Sequence, residues 1–195
     1  FRILNDPSLL EMFKTYSTDE KKIYIMAHFN HPRELTPEAI EGLNLLMKSE
    51  VSLVNQTPMV KGVNDDPEVL TELFSKLSYI GVPPYYVFLC RPTLGNETYS
   101  VPVERGYEIF EKSRTLCSGL AKRARLVMSH ESGKIEAVGM TEDQIFFKFL
   151  RAADKINDAR FMAFFRNPEA CWFDDYQEAS DEFSLFSQTV RAGCS

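Results

Sequence analysis

The sequence lacks the features of membrane proteins and of nucleic-acid-binding proteins. No apolar run approaches the roughly 18 residues that a membrane-spanning helix requires, and no secretory signal pattern is visible. Positive charge is not in excess, since 22 Lys and Arg residues face 28 Asp and Glu residues, for a net charge of −6. A nucleic-acid-binding surface needs clustered basic residues. The sequence therefore predicts neither a membrane nor a nucleic acid as a partner.

Cysteine is scarce, and its spacing argues against a metal centre in this chain. The four cysteines are Cys90, Cys117, Cys171 and Cys194, too far apart for a CxxC metal-binding motif. Isolated cysteines in an acidic chain are typical of the reducing cytoplasm, which is the predicted location. His28 and His31 have no cysteine or carboxylate at ligand spacing, so they predict no metal site either.

The composition is that of a globular domain with a substantial core. The chain has 195 residues, of which 44% are apolar and 26% are charged, and this is enough to build one hydrophobic core. It begins at Phe1 rather than at a methionine. We therefore expect it to be a piece of a longer protein.

Three helix starts recur at a regular interval along the first third of the chain. Asp6, Thr36 and Asp66 each precede a proline, which places a capping side chain before proline at the first helical position. Apolar stripes with helical periodicity follow the second and third of these signals. A fourth helix is predicted to begin at Pro102 and to run towards Cys117.

Apolar strands alternate with these helices. Ile23–His28, Val51–Gln56 and Tyr85–Cys90 are predicted strands, and a βαβα order requires a parallel sheet. Three strands cannot close a barrel. The predicted fold is therefore α/β, a partial parallel (β/α) barrel whose open edge meets sheet from a preceding N-terminal half.

The second half of the chain has a different pattern. Residues 124–129, 134–140 and 144–150 resemble short antiparallel strands separated by turns. We expect three parts: residues 1–121 as the C-terminal half of the partial barrel, 122–173 as an antiparallel β extension with a packed aromatic segment, and 174–195 as an acidic tail that is partly disordered.

Polar side chains follow the predicted strands and form the first candidate site. They are His28, Asn30 and His31 after the first strand, Asn55 and Gln56 at the second, and Arg91 after the third. The carboxyl ends of parallel strands meet at one edge of a sheet, so these groups are expected to converge there. Each residue alone could equally be a hydrogen-bonding group that fixes a strand end.

Lys134 is a second candidate, because it follows Ser132 and Gly133 at a predicted hairpin turn. Lysine at such a turn is usually a solvated surface residue. A lysine that forms a Schiff base instead needs a partly desolvated amine. The residues alone leave both interpretations open.

Five blocks of the sequence resemble, in order and at matching intervals, the lysine 2,3-aminomutase family of radical S-adenosylmethionine enzymes. They are HFNHPRELTPEAIEGL, VNQTPMVKGVNDDPEVLTELFSKL, GVPPYYVFLCRPTLG, VPVERGYEIFE and SGLAKRARLVMSHESGKIEAVG. The resemblance covers roughly residues 1–138 and matches the C-terminal half of such enzymes.

The resemblance implies a cofactor set and site residues. The family uses pyridoxal phosphate, S-adenosylmethionine and a [4Fe–4S] cluster. Lys134 matches the lysine that holds pyridoxal phosphate, although the usual glycine-rich run is reduced here to HESG. His28 and Gln56 match positions lining the S-adenosylmethionine and cofactor pocket, to which Asn30 and Asn55 are added as strand-end residues. The CxxxCxxC cluster motif is absent, and Asp66 stands where some members have a zinc-binding cysteine.

The resemblance also bears on the substrate. Lysine-specific members have an aspartate at the position of Arg91 and a second one seven residues before the pyridoxal lysine, at the position of Val127. A guanidinium in place of these charges would repel the ammonium of lysine and could bind a carboxylate. We therefore expect an anionic substrate side chain, glutamate being the simplest, with Arg91 as the substrate-binding residue. The alternative is that Arg91 pairs with a loop acid such as Glu97.

The resulting hypothesis is the C-terminal part of a pyridoxal-phosphate-dependent radical S-adenosylmethionine aminomutase, which moves an amino group from C2 to C3. Its predicted partners are a small amino acid, the N-terminal half of the same barrel and, in a homo-oligomer, further copies of itself. This chain alone lacks the cluster cysteines and is expected to be inactive. Two alternatives are a pyridoxal-phosphate protein without radical chemistry and an inactive half-barrel that acts as a binding or assembly module.

Overall fold

A computed structural model describes residues 2–179, and the predicted α/β fold is confirmed. The helices are α1 (Arg2–Asn5), α2 (Pro7–Tyr16), α3 (Pro37–Lys48), α4 (Pro67–Tyr79) and α5 (Val103–Leu116). The strands are β1 (Tyr24–Ala27), β2 (Ser52–Met59), β3 (Pro84–Leu89), β4 (Arg125–His130), β5 (Gly133–Met140), β6 (Gln144–Ala152) and β7 (Phe161–Phe165). None of the helices in this part of the chain is long and apolar enough to span a bilayer.

The three predicted capping residues begin three of the helices. The side chains of Asp6, Thr36 and Asp66 each accept a hydrogen bond from a backbone N–H in the first turn of α2, α3 and α4, respectively. These bonds satisfy amide groups that have no partner within the helix. The fourth helix also lies where it was predicted, directly after Pro102.

All seven strands form one sheet in the order β1-β2-β3-β4-β5-β6-β7. The pairs from β1 to β4 are parallel, and those from β4 to β7 are antiparallel. The expected antiparallel pairing of β4 with β5 is confirmed, but β4 also extends the parallel part of the sheet, which was not predicted: Tyr86, Val87 and Phe88 pair with Arg125, Leu126 and Val127 in parallel register. The residue pattern of a strand gives its two faces but not its direction, so a strand that is parallel to one neighbour and antiparallel to the other cannot be recognised from periodicity.

The two faces of the sheet differ in burial. On the covered face, β2, β3 and β4 contribute Leu53, Met59, Val87 and Leu126, each at most 5% exposed, to a core shared with α3, α4 and α5. On the other face most of the alternate residues are partly exposed, Val127 being a buried exception. We call this second surface the open face; it includes Met26, Gln56, Tyr86, Phe88 and Lys134.

The segment after β7 covers the antiparallel part of the sheet. The Phe147 ring lies 5.5 Å from the Phe173 ring and 5.3 Å from the Tyr176 ring, measured between centroids. The aromatic rings at the end of the expected β extension thus pack on the sheet. The first residues of the expected acidic tail also pack on it, since Tyr176 and Ala179 are buried; residues 180–195, which make up the rest of that tail, lie outside the described part of the chain.

Candidate functional site

Lys134 lies on the open face of β5, and its side chain reaches across β4 to two aromatic rings of β3. Its Nζ atom is 4.6 Å from the centre of the Tyr86 ring and 4.5 Å from that of Phe88. Burial lowers the pKa of the Lys134 ammonium, and the charge of Tyr85 opposes this in part. Desolvation disfavours the charged form, so a larger fraction of this amine is neutral at a given pH than for a solvated lysine. A neutral amine is the nucleophilic form.

Gly133 fixes the backbone that presents this lysine. Its φ angle is 141°, and a Cβ atom there would lie 2.2 Å from the carbonyl oxygen of Arg151 and 2.8 Å from Cα of Ala152. Both contacts are closer than real Cβ atoms make, and both are with backbone. The glycine of the Ser-Gly-Lys sequence is therefore required by the close approach of β6.

Replacing Gly133 is expected to weaken this hairpin. Gly133→Ala should lower the free energy of unfolding by roughly 2–4 kcal/mol, because it combines backbone strain with a clash against β6. Gly62→Ala is the matched control: Gly62 also has a positive φ, 77°, but no atom lies within 4 Å of its Cβ position, so strain alone should cost about 1 kcal/mol. Urea denaturation of the intact protein measures both. Equal losses in the two variants would contradict the steric argument.

His130 connects the Lys134 turn to the segment after β7. Its Nδ1 atom accepts a hydrogen bond from the Ser132 amide at 3.1 Å and lies 2.6 Å from Ser132 Oγ. Its Nε2 atom is 3.0 Å from both carboxylate oxygens of Asp174. The ring also lies 5.4 Å from the Phe173 ring. This imidazole therefore holds the turn in place from a distant part of the sequence.

An acidic residue shares the open face with Lys134. Glu136 lies two residues further along β5 and pairs in register with Val127 of β4. Burial raises the pKa of the Glu136 carboxyl, while Arg125, 3.8 Å away, lowers it in part. Sequence reasoning missed both His130 and Glu136. The alternation of β5 could have indicated that Glu136 shares a face with Lys134, whereas nothing local pairs His130 with Asp174.

The predicted positions of Asn55 and Gln56 at the end of β2 are wrong. The strand continues to Met59, so both residues lie in its middle. Pro58 lies inside the strand, and β1 pairs with β2 only as far as Asn55. Beyond that point one side of β2 has no strand partner among residues 2–179, which accommodates a proline.

Asn55 has a structural role in place of the expected pocket role. Its side chain is 1% exposed and bonds the backbone of Phe29 twice, accepting from N at 2.8 Å and donating to O at 3.0 Å. It also donates to Thr57 Oγ1. Gln56 differs, because it lies on the open face and pairs in register with Tyr86, whose ring contacts Lys134. Of the two amides, only Gln56 is brought near the lysine.

The three polar residues after β1 also differ in the contacts that their side chains make. His31 caps a short 3-10 helix by accepting from the Arg33 amide at 3.1 Å. His28 is exposed and directly follows the last residue of β1. The Oδ1 atom of Asn30 is buried and has no hydrogen-bond partner among the described residues. His28 and Asn30 thus keep polar atoms without a partner among the described residues, whereas the Nδ1 atom of His31 is used for the cap.

Arg91 lies two residues after β3, in an exposed loop. Its carbonyl oxygen accepts from Asn96 Nδ2 at 3.2 Å. No carboxylate pairs with its guanidinium in the part of the chain that the structure describes, so the alternative pairing with Glu97 is not formed. It is also not in contact with Lys134. Within residues 2–179, no group of three or more His, Cys, Asp or Glu side chains is arranged to hold a metal ion.

Comparison with known proteins identifies relatives over nearly the whole chain. No family model matches. A protein from Aquifex aeolicus, described as "Putative L-lysine 2,3-aminomutase", is 56% identical over 94% of this chain and 49% of its own length. The L-lysine 2,3-aminomutase of Clostridium subterminale is 41% identical over 58% of this chain and 26% of its own length.

A relative with a different printed substrate also matches. The glutamate 2,3-aminomutase of Clostridioides difficile is 36% identical over 57% of this chain and 26% of its own length. The chain thus spans about half the length of the Aquifex relative and a quarter of the other two. By descent, the chain is a homologue of the lysine 2,3-aminomutases and corresponds to a part of these longer proteins.

Proposed function

We propose that the protein containing this chain is a pyridoxal-phosphate-dependent amino-acid 2,3-aminomutase of the radical S-adenosylmethionine type. The observation that carries the proposal is Lys134: a lysine with a lowered pKa, on the open face of the sheet, directly after a glycine that the backbone requires. The relatives support an aminomutase. The cofactors, the substrate and the radical chemistry are proposals for the intact protein.

The residues around Lys134 fit pyridoxal phosphate. Lys134 Nζ would hold the cofactor covalently, and the exposed edges of Tyr86 and Phe88 offer apolar surface beside it. Gln56, next to Tyr86 in register, offers a neutral hydrogen-bonding amide. When bound, pyridoxal phosphate would supply a conjugated ring system that eases the migration of the amino group from C2 to C3. The chain's own contribution is to orient the amine and to keep water from it.

The described residues do not fit an iron–sulfur cluster. Cys90, Cys117 and Cys171 are separate free thiols, and burial raises the pKa of each, which disfavours the thiolate form that binds iron. We therefore assign the cluster to an N-terminal half of the protein. His28 and Asn30, at the end of β1, are the groups proposed to face S-adenosylmethionine.

The partners and the cellular location of the intact protein remain predictions. The predicted partners are an amino acid and an N-terminal half of the barrel, and self-association and a cytoplasmic location are also predicted.

Anaerobic purification of the intact protein, with iron and sulfide analysis and a visible spectrum, tests the radical assignment. Pyridoxal phosphate without iron would favour the alternative of a non-radical enzyme. The absence of both would favour a binding or assembly module.

We further propose a substrate with an anionic side chain. The guanidinium of Arg91 has no carboxylate partner among the described residues, and Val127 is 0% exposed on β4. The neighbouring acidic group, Glu136, is paired with Arg125. The balance of charge at these positions therefore favours a distal carboxylate over an ammonium. That one relative is named a glutamate 2,3-aminomutase agrees with this choice.

Removing the Arg91 guanidinium is expected to affect glutamate selectively. In the reconstituted intact enzyme, Arg91→Ala should lower kcat/KM for L-glutamate by about 100-fold, because a charge-assisted contact is lost. Arg105→Ala is the control, since Arg105 makes only an exposed pair with Glu108. The β-amino acid products are quantified for L-glutamate and L-lysine. Efficient formation of β-lysine, unaffected by Arg91→Ala, would show that the charge argument is wrong.

A further inference from the structure

We propose that the cavity beside Lys134 is a phosphate-binding site and that Arg151 is its principal ligand. This inference rests on the proposed function and extends it, because it assigns the phosphate of the bound aldehyde to a residue outside the sequence blocks that resemble the family. The cavity has a volume of about 260 Å³ and lies between the β4–β5 turn and the end of β6.

Strand register brings the relevant side chains together. Lys134 pairs with Ser129 of β4 on one side and with Arg151 of β6 on the other. Paired residues on neighbouring strands project to the same face of a sheet. Ser129, Lys134 and Arg151 all line the cavity. A hydroxyl donor and two cations thus stand in one row across three strands.

The charge of the cavity is positive. Its lining includes Lys134 and Arg151 but no aspartate or glutamate. Neither cation has a carboxylate partner among residues 2–179, although Arg160, nearby in sequence, is paired with Glu178 at 2.7 Å. The remaining walls are His130, whose Nε2 atom lies 3.0 Å from the Asp174 carboxylate, and the small residues Gly133, Ala152 and Ala153, which leave room for a ligand. A small cavity whose two cations have no carboxylate partner among residues 2–179 is suited to an anion.

The chemistry of pyridoxal phosphate places its phosphate near the lysine that holds it. The aldehyde and the phosphate-bearing methylene are substituents of neighbouring ring carbons, and neighbouring strands are about 4.8 Å apart. If the amine nitrogen of Lys134 bonds to the aldehyde carbon, the carbonyl oxygen leaves as water and the lysine nitrogen is used for that covalent bond. Arg151 then remains as the cation of the cavity, and its planar fork matches a phosphate.

Comparing pyridoxal phosphate with pyridoxal in the intact protein isolates the contribution of Arg151. Spectroscopic titration should show that Arg151→Ala weakens the binding of pyridoxal phosphate by roughly 10- to 100-fold, because charge-assisted bonds are lost. The affinity for pyridoxal, which has no phosphate, should change less than about two-fold, and Arg151→Lys should restore part of the loss. Lys148→Ala is the control: it removes an exposed cation from the same strand, outside the cavity.

Two further results separate this inference from the proposed function. Inorganic phosphate should bind the wild type in calorimetry and not Arg151→Ala, and this measurement involves no aldehyde. If Arg151→Ala weakens both aldehydes equally, or neither, the assignment of Arg151 is overturned. If the wild type forms no covalent adduct with either aldehyde but still binds phosphate through Arg151, the proposed function fails and the anion site stands.

Discussion

Lys134→Ala is expected to abolish covalent attachment of pyridoxal phosphate to the intact protein. Removing a covalent nucleophile typically costs on the order of 10³–10⁶-fold in turnover, and no other lysine among the described residues has a lowered pKa with two aromatic rings beside it. Borohydride reduction should fix the cofactor on the peptide that contains Lys134. Peptide mapping by mass spectrometry then reads out the site directly.

The control for this variant is Lys148→Ala, which removes an exposed lysine from the neighbouring strand β6. Labelling and turnover should be unchanged in it. The lowered pKa of Lys134 adds a second signature: the wild-type adduct should form at a lower pH than a solvated lysine would permit. Label on a different lysine, with an adduct still formed by Lys134→Ala, would refute the assignment.

Glu104→Ala is expected to cause a large loss of stability without touching the open face. Glu104 lies in the first turn of α5 and is 3% exposed. One carboxylate oxygen accepts from Arg166 at 2.9 Å, and the other accepts from the Asn167 amide at 2.7 Å. This pair, in which Glu104 is buried and the Arg166 side chain is 30% exposed, links the helix layer to the residues after β7. Removing the carboxylate should cost roughly 2–4 kcal/mol, because the Asn167 amide loses its acceptor and Arg166 loses its partner.

The same helix offers a matched comparison. Glu108 pairs with Arg105 at 3.3 Å, but both side chains are about half exposed, at 49% and 59%. Glu108→Ala should therefore change the free energy of unfolding by about 0–1 kcal/mol. Chemical denaturation of the intact protein distinguishes the two. A small loss in Glu104→Ala, similar to that in Glu108→Ala, would mean that the segment after β7 does not depend on this pair.

The parts of the fold that follow from short-range chemistry were predictable. Asp6, Thr36 and Asp66 begin helices because each side chain bonds an amide only two or three residues away. The strand positions followed from runs of apolar residues for the same reason. The turn sequence Ser132-Gly133-Lys134 made this lysine a candidate, and the resemblance to the family, rather than the periodicity, predicted its role.

What the sequence could not indicate depends on residues that are far apart. The direction of β4 is set by its neighbours on both sides. The length of β2 depends on where β1 stops pairing with it. His130 and Asp174 are 44 residues apart, and Lys134 meets Arg151 only through the register of β6. No local pattern encodes such contacts, so the surroundings of the candidate site emerged only from the fold.

The reversal of strand direction at β4 has a consequence for the order of folding. Parallel neighbours in this sheet are joined by long crossovers, each containing a helix, whereas β4 to β6 are joined by short turns. The entropic cost of closing a loop grows with its length, and ladders between segments close in sequence form faster. The Lys134 hairpin therefore closes at a lower entropic cost than the ladders of the parallel strands. During synthesis this hairpin nevertheless leaves the ribosome after the parallel strands. The strands whose ladders form slowly therefore emerge before the hairpin that pairs with their edge.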